Sequence, residues 1–300
     1  MYERGFIYSF RVEYVIKFSG ACMTKKDHYY NKAKQEGYRS RSAYKLQQLD
    51  ETAGLFSEGK TVLDLGAAPG GWLQVAAERI GSGTVIGVDR QRIDPPEPDE
   101  KGTPGGEDGE GPTFETVRGD ITEERTREEI REAVGGDGNE NGEASNGTVD
   151  VVLSDMAPNI TGTYDLDHAR SVHLARQAFE IGLDVLASEG DLVVKVFDGT
   201  DLEDLREDID REFEYVRTIH PDASRDSSSE LYLVGKGRLT APVRAEEEID
   251  VEIVDQGEEG DGIAKVEGFT LFVAGGEPGE SYRVRIEDVK PRFGFATPVE

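Results

Sequence analysis

Cys22 is the only cysteine in 300 residues, so the chain can close no intrachain disulfide and offers no cysteine metal cluster. Long apolar runs are missing too. The patchily apolar start is broken by Arg11, Glu13 and Lys17, which suits neither a membrane span nor a signal-peptide core. These absences lead to the expectation of a cytoplasmic protein with no membrane partner and no metal. Positive charge is scarce: 34 Lys+Arg face 62 Asp+Glu, a formal net charge of -28. The chain is nevertheless not of the disordered class, because 36% of its residues are apolar and they fall into clear strand and helix patterns.

Such acidity ordinarily opposes nucleic acid, whose phosphates attract Lys and Arg. Excess surface carboxylate also accompanies life in molar salt, where the Debye length shrinks to about 3 Å and net repulsion is screened. Local charge is then the better guide. Residues 24–45 hold Lys25, Lys26, Lys32, Lys34, Arg39, Arg41 and Lys45 against Asp27 and Glu36 alone. Tyr29, Tyr30, Tyr38 and Tyr44 are interleaved with them, which suits contact with a nucleic-acid backbone plus base stacking. The plainer alternative is a solvated amphipathic helix. Met23 stands directly before this segment, and translation is expected to start there, with residues 1–22 a non-native or disordered extension.

Three hundred residues suffice for about two domains. From Gly59 the pattern is strand, glycine turn, helix, repeated. Strands are predicted at 61–66, 84–89, 114–120, 150–155, 191–197, 215–220 and 230–235, and helices near 71–80, 122–134, 166–187 and 200–210. Short continuous apolar strands alternating with helices imply an α/β, Rossmann-like, mostly parallel sheet covered on both faces. Segments 94–112 and 135–147 are rich in Gly, Pro and acid and read as mobile surface insertions. After Arg238 the texture changes to five short strands with Gly or Pro turns and no helix signal, which predicts a small barrel of the oligonucleotide-binding kind.

In VLDLGAAPGGW (62–72) a strand ends, glycines turn the chain and a helix opens, placing backbone N–H groups beside a ligand at the carboxyl edge of the sheet. Asp89 ends the next strand, where a carboxylate can accept from ribose hydroxyls. A dinucleotide site would want G-x-G-x-x-G; the spelling here is G-A-A-P-G-G, with Pro69 stiffening the turn. At the same edge, Asp155 ends the strand DVVLSD and Lys195 sits late in DLVVKVF. If the last strand, ELYLVG, runs antiparallel, its first residue Glu230 joins them, and Lys45 on SRSAYKLQQLDE must fold over that edge. A lysine in a V-V-K-V-F strand needs a partner or a shifted pKa, because burying a lone ammonium costs several kcal/mol.

The wording RSRSAYKL, GAAPGGW, SDMAPNITG, VVKVFDG and SRDSSSELYLV, spread over residues 24–238, resembles the FtsJ family of S-adenosylmethionine methyltransferases. The resemblance implies S-adenosyl-L-methionine as cofactor, with Gly70 and Trp72 lining its methionine side, Asp89 holding the ribose and Asp120 meeting the adenine amino group. It also implies that Lys45, Asp155, Lys195 and Glu230 methylate a ribose 2′-hydroxyl. Each acid has a plainer reading: Asp89 as a loop acid, Asp120 as the N-cap of the following helix. Lys195 could likewise be an ordinary ion-paired sheet residue. SDMAPN stands where an N-P-P-Y or D-P-P-Y segment would favour a base nitrogen.

Residues 240–300 resemble a TRAM domain, a barrel that accompanies RNA-modifying enzymes. Lys265, Arg283, Arg285, Lys290 and Arg292 mix there with Phe269, Phe272, Tyr282, Phe293 and Phe295, about half of which must fill the barrel core. The family implies a uridine ribose in large-subunit (23S) ribosomal RNA as substrate, ribosomal RNA or the large subunit as partner, and a monomer. A tRNA 2′-O-methyltransferase and a non-catalytic RNA-binding assembly factor are the alternatives, and a nicotinamide-linked oxidoreductase is opposed by the glycine spelling.

Overall fold

A computed structural model describes residues 25–94, 111–135, 147–225, 228–257 and 260–299. The expected extension at 1–22 and nearly all of the two acidic insertions lie outside the described residues.

The larger domain begins with two helices, α1 (Lys25–Glu36) and α2 (Ala43–Ala53), followed by β1 (Thr61–Leu65), α3 (Gly71–Ile80) and β2 (Thr84–Asp89). It continues through β3 (Thr113–Arg118), α4 (Glu124–Ala133), β4 (Val149–Ser154), α5 (Tyr164–Val185), β5 (Leu186–Phe197), α6 (Leu202–Asp210), β6 (Phe213–Ile219) and β7 (Glu230–Arg238). The seven strands form one sheet in the order β3-β2-β1-β4-β5-β7-β6. β1 to β5 pair in parallel, whereas β7 is antiparallel to both β5 and β6. β5 begins five residues earlier than its apolar run suggested, at Leu186; Glu189, at φ 67, sits in that added stretch.

The inner strands β1, β2, β4, β5 and β7 are buried on both faces, as their unbroken apolar runs require. Side chains alternate along each strand, so Leu63, Ile86, Val152 and Val194 pack toward α4, α5 and α6. Val62, Val85, Val151 and Val193 pack on the opposite side, with Leu46 and Leu49 of α2 and Leu73 of α3. Burying each such side chain contributes about 1.5–3 kcal/mol, so the two clusters fix where the strand ends lie.

The basic segment divides between α1, α2 and the turn joining them. Tyr38 and Tyr44 are buried, contrary to the expectation that they stack on bases. Their rings meet edge to face at 5.6 Å, and their hydroxyls donate to Glu78 and Glu36. A buried phenol needs such an acceptor; burial, reinforced by these carboxylates, raises both pKa values. Tyr30 alone of the four tyrosines stands well out, at 61% exposure.

Residues 248–298 form β8 (Glu248–Gln256), β9 (Gly262–Val266), β10 (Phe269–Val273), β11 (Ser281–Val289) and β12 (Phe293–Pro298), a closed barrel in the order β10-β12-β11-β8-β9. Its core is aliphatic, built around Ile253, Leu271, Val284 and Ile286, with Phe269 and Tyr282 packed against it. Phe272, Phe293 and Phe295 remain outside as a cluster with centroids 5.5 to 5.9 Å apart. The barrel meets the sheet domain through Arg292–Glu189 at 2.5 Å and Lys290–Glu214 at 3.6 Å.

Candidate active site

Four side chains remote in sequence meet at the carboxyl edge of the sheet. Asp155 directly follows β4, and Lys195 lies near the end of β5. Because β7 runs antiparallel, its first residue Glu230 falls opposite Phe197, and Tyr232 falls opposite Lys195. Lys45 comes from α2, whose Ala43, Leu46 and Leu49 are fully buried and whose end is stopped by Gly54 at φ 61.

Lys195 Nζ lies 2.9 Å from Asp155 Oδ1 and also donates to the Asp155 backbone carbonyl. Lys45 Nζ lies 2.6 Å from Glu230 Oε1 and 3.9 Å from Asp155 Oδ1. The two lysine side chains are 7% and 11% exposed, so they belong to a largely desolvated charge network rather than a surface array. Burial works to raise the Asp155 pKa, but Lys195, Lys45 and the Tyr232 hydroxyl outweigh it and hold the carboxyl below its ordinary range.

Sequence reasoning missed two members of this region. The Tyr232 hydroxyl donates to Asp155 Oδ1 at 2.6 Å, and burial, with Asp155 and Glu230 adding to it, raises its own pKa. The signal was available: Tyr232 is two residues from Glu230, hence on the same face of β7. Asp64, inside VLDLG, is 1% exposed and its Oδ2 has no hydrogen-bond partner. Burial first, then Asp155 and Asp89, push its pKa up. An acid hidden among Val62, Leu63 and Leu65 could have been flagged as Lys195 was.

Beside the network opens a cavity of about 940 Å³, lined in part by Gly66, Asp89, Gly119, Asp120, Asp155 and Arg170. Gly66 sits at φ 86, where a Cβ would collide with Met156. Asp89 Oδ2 accepts the Ala68 N–H at 3.0 Å and Oδ1 the Gln91 N–H at 2.7 Å, which fixes the carboxylate at the cavity wall. Asp120 Oδ1 accepts from the Thr122 hydroxyl and N–H, bonds that hold its pKa down. Those bonds close the turn before α4, whose N-cap is Glu123 rather than Asp120. Gly70, at φ 106, precedes α3, and neither it nor Trp72 is among the residues lining the cavity. Trp72 is buried; its Nε1 donates to Ser42 O at 2.8 Å, and its ring lies 5.9 Å from that of Tyr232. It thereby ties the start of α2, and so Lys45, to the glycine turn.

A family model described as FtsJ-like methyltransferase matches residues 38–238, most of the chain. The chain belongs to the FtsJ-like methyltransferase family. A TRAM domain model matches residues 243–299. Two curated relatives, each called Ribosomal RNA large subunit methyltransferase E, are similar along their whole length. The protein of Haloarcula marismortui is 65% identical over 93% of this chain and 100% of its own, and that of Natronomonas pharaonis 64% over the same shares. A crystal structure from Plasmodium falciparum, described as a ribosomal RNA methyltransferase, aligns with a TM-score of 0.54 and 25% identity, covering 67% of this chain and 98% of that one. This FtsJ-like chain is thus a methyltransferase whose sheet carries a TRAM barrel after its last strand. Among its described residues no helix is long and apolar enough to cross a membrane.

Proposed function

We propose that the protein methylates the 2′-oxygen of a uridine ribose in large-subunit (23S) ribosomal RNA, using S-adenosyl-L-methionine, as a monomer in the cytoplasm. The observation that carries this reading is the meeting of Lys45, Asp155, Lys195 and Glu230 within ion-pair distances beside the glycine-edged cavity. The relatives' names supply the class of RNA.

The residues present fit the cofactor. The cavity falls in the range of small-molecule sites, a few hundred to about 1,000 Å³, and two fixed carboxylates line it: Asp89 at the end of β2, and Asp120 two residues past the end of the adjacent parallel strand β3. Asp89 would hold the ribose hydroxyls, Asp120 the adenine amino group, and Asp155 the end nearest the reacting methyl; Gly70 and Trp72 would shape the methionine side. When bound, S-adenosylmethionine supplies an electrophilic methyl group.

The chain's own residues must then position a ribose hydroxyl and take its proton. Proximity supplies much of such an acceleration. Lys195 is the proposed base. In the free protein it is ion-paired to Asp155, so its ammonium must release a proton to solvent before the amine can take that of the substrate hydroxyl, and neighbouring Lys45 disfavours two ammoniums side by side. Asp155 orients Lys195, while Glu230 holds Lys45 at the mouth. Methylation mapping of ribosomal RNA from cells with and without the gene tests the reading: one ribose should lose its methyl group, and Lys195→Ala should fail to restore it. An unchanged map, or restoration by Lys195→Ala, would overturn it.

A further inference from the structure

A second cavity, of about 460 Å³, opens among Gly147, Leu183, Leu186 and the chain leaving β7, and three arginines reach it: Arg131 of α4, Arg238 at the end of β7, and Arg244. Parallel β5 starts at Leu186 and antiparallel β7 ends at Arg238, so this cavity lies at the amino edge of the sheet, opposite the active site. Asp184 is the one acid on its wall among the described residues. Three cations to one acid is an inverted balance in a chain of net charge -28.

The arginines are unequally compensated. Arg131 reaches Glu124 at 3.1 Å and Asp184 at 3.4 Å, and Arg244 reaches Glu212 only at 3.4 Å. Arg238 has no acid within ion-pair distance among the described residues, and its enclosed Nε and Nη1 have no hydrogen-bond acceptor. Burial lowers its pKa, and Arg244 adds to this against Glu212 and Asp184. A guanidinium does not shed its proton in a protein, so its charge persists at this half-buried position beside the cavity. Glu212 and Asp184 offset that charge only from beyond ion-pair distance, and an anion in the adjoining cavity would offset it more fully.

We propose that this cavity binds a phosphate-type oxyanion, held between Arg131 and Arg244 in the field of Arg238. Planar guanidinium forks suit the oxygens of phosphate, and the long contacts to Asp184 and Glu212 are ones a tetrahedral oxyanion can displace. The same chemistry can come from free phosphate or from the backbone of a bound RNA. The site is separate from methyl transfer and does not depend on that reading.

Titration of the full-length protein with inorganic phosphate at fixed ionic strength in potassium chloride, read by melting temperature and by ³¹P line width, tests the first source. Saturable stabilisation is expected, weakened at least tenfold in the paired variant Arg131→Gln/Arg244→Gln, which removes both charge-assisted contacts. These positions are less buried than Arg238, so the variant should fold; Arg238→Gln serves as the second variant. Titration with a single-stranded RNA tests the other source: the paired variant should lower the slope of log affinity against log salt by about 0.7 for each phosphate released. A phosphate response in the wild type alone assigns a free anion, and a changed slope alone assigns the backbone. Stabilisation linear in phosphate and equal in all variants, with an unchanged slope, would overturn the site.

Discussion

Lys195 and Tyr232 face each other across the β5–β7 ladder, and both spend their polar atoms on Oδ1 of Asp155. The register of one antiparallel strand thus decides how the central carboxylate is aimed. Tyr232→Phe keeps the ring and removes only that hydroxyl. Methyl transfer should fall by about tenfold, the equivalent of one hydrogen bond of roughly 1.4 kcal/mol. Cofactor affinity should move less than twofold; steady-state kinetics beside a binding titration would separate the two.

Lys45 and Glu230 form a close, mostly buried pair. Removing one partner leaves the other uncompensated, at a cost of about 3–5 kcal/mol, whereas removing both costs less. The singles Lys45→Met and Glu230→Gln should therefore each lower the urea midpoint more than the double variant does. Additive losses would mean that the pair contributes no coupling.

Asp64 and Asp155 should give opposite pH signatures. The raised pKa of Asp64 contributes stability that is complete below about pH 3.8 and is lost as pH rises through the folded value. The lowered pKa of Asp155 contributes stability present above about 3.8 and lost as pH falls. Asp64→Asn, nearly isosteric and unable to ionise, should raise the melting temperature at pH 7 relative to wild type and leave it unchanged at pH 3.5. Thermal scans across that range would show the two curves converging on the acid side.

Gly66→Ala puts a Cβ into Met156 at a positive φ. The left-handed backbone alone costs about 1–2 kcal/mol for a residue with a side chain, and the displaced Met156 lines the cavity. Cofactor affinity should drop at least tenfold by calorimetry, with the far-ultraviolet circular dichroism unchanged.

Phe293 and Phe295 are 37% and 42% exposed, so Phe293→Ser with Phe295→Ser should change stability by under about 1 kcal/mol. If the barrel stacks on unpaired bases, RNA binding should weaken by about 1–3 kcal/mol per lost stack. Filter binding with single-stranded and duplex RNA would show the loss confined to the former.

Strand ends and the two carboxylates at 89 and 155 were legible because apolar runs stop where a chain meets solvent. So was the position of Glu230, once its strand was taken as antiparallel. Tertiary packing concealed the rest. Tyr38 and Tyr44 look in sequence like members of a basic, stacking segment, yet their neighbours Glu78 and Glu36 turn them into core. Nothing in the sequence shows that the ring of Trp72, which follows the glycines, is buried with its Nε1 on Ser42 O. The arginines at the amino edge carry no local pattern, since α4, β7 and the connection beyond it supply one each.

The barrel grips the sheet at Glu189, six residues below Lys195 on the same strand, which at about 3.3 Å per residue is roughly 20 Å away. An oligonucleotide short enough to fill only the upper end would leave the barrel idle, while a long or folded one could engage both. If both ends contact RNA as proposed, the fold would act as a ruler that favours a target by how far its flanks extend, independently of which base is presented for reaction.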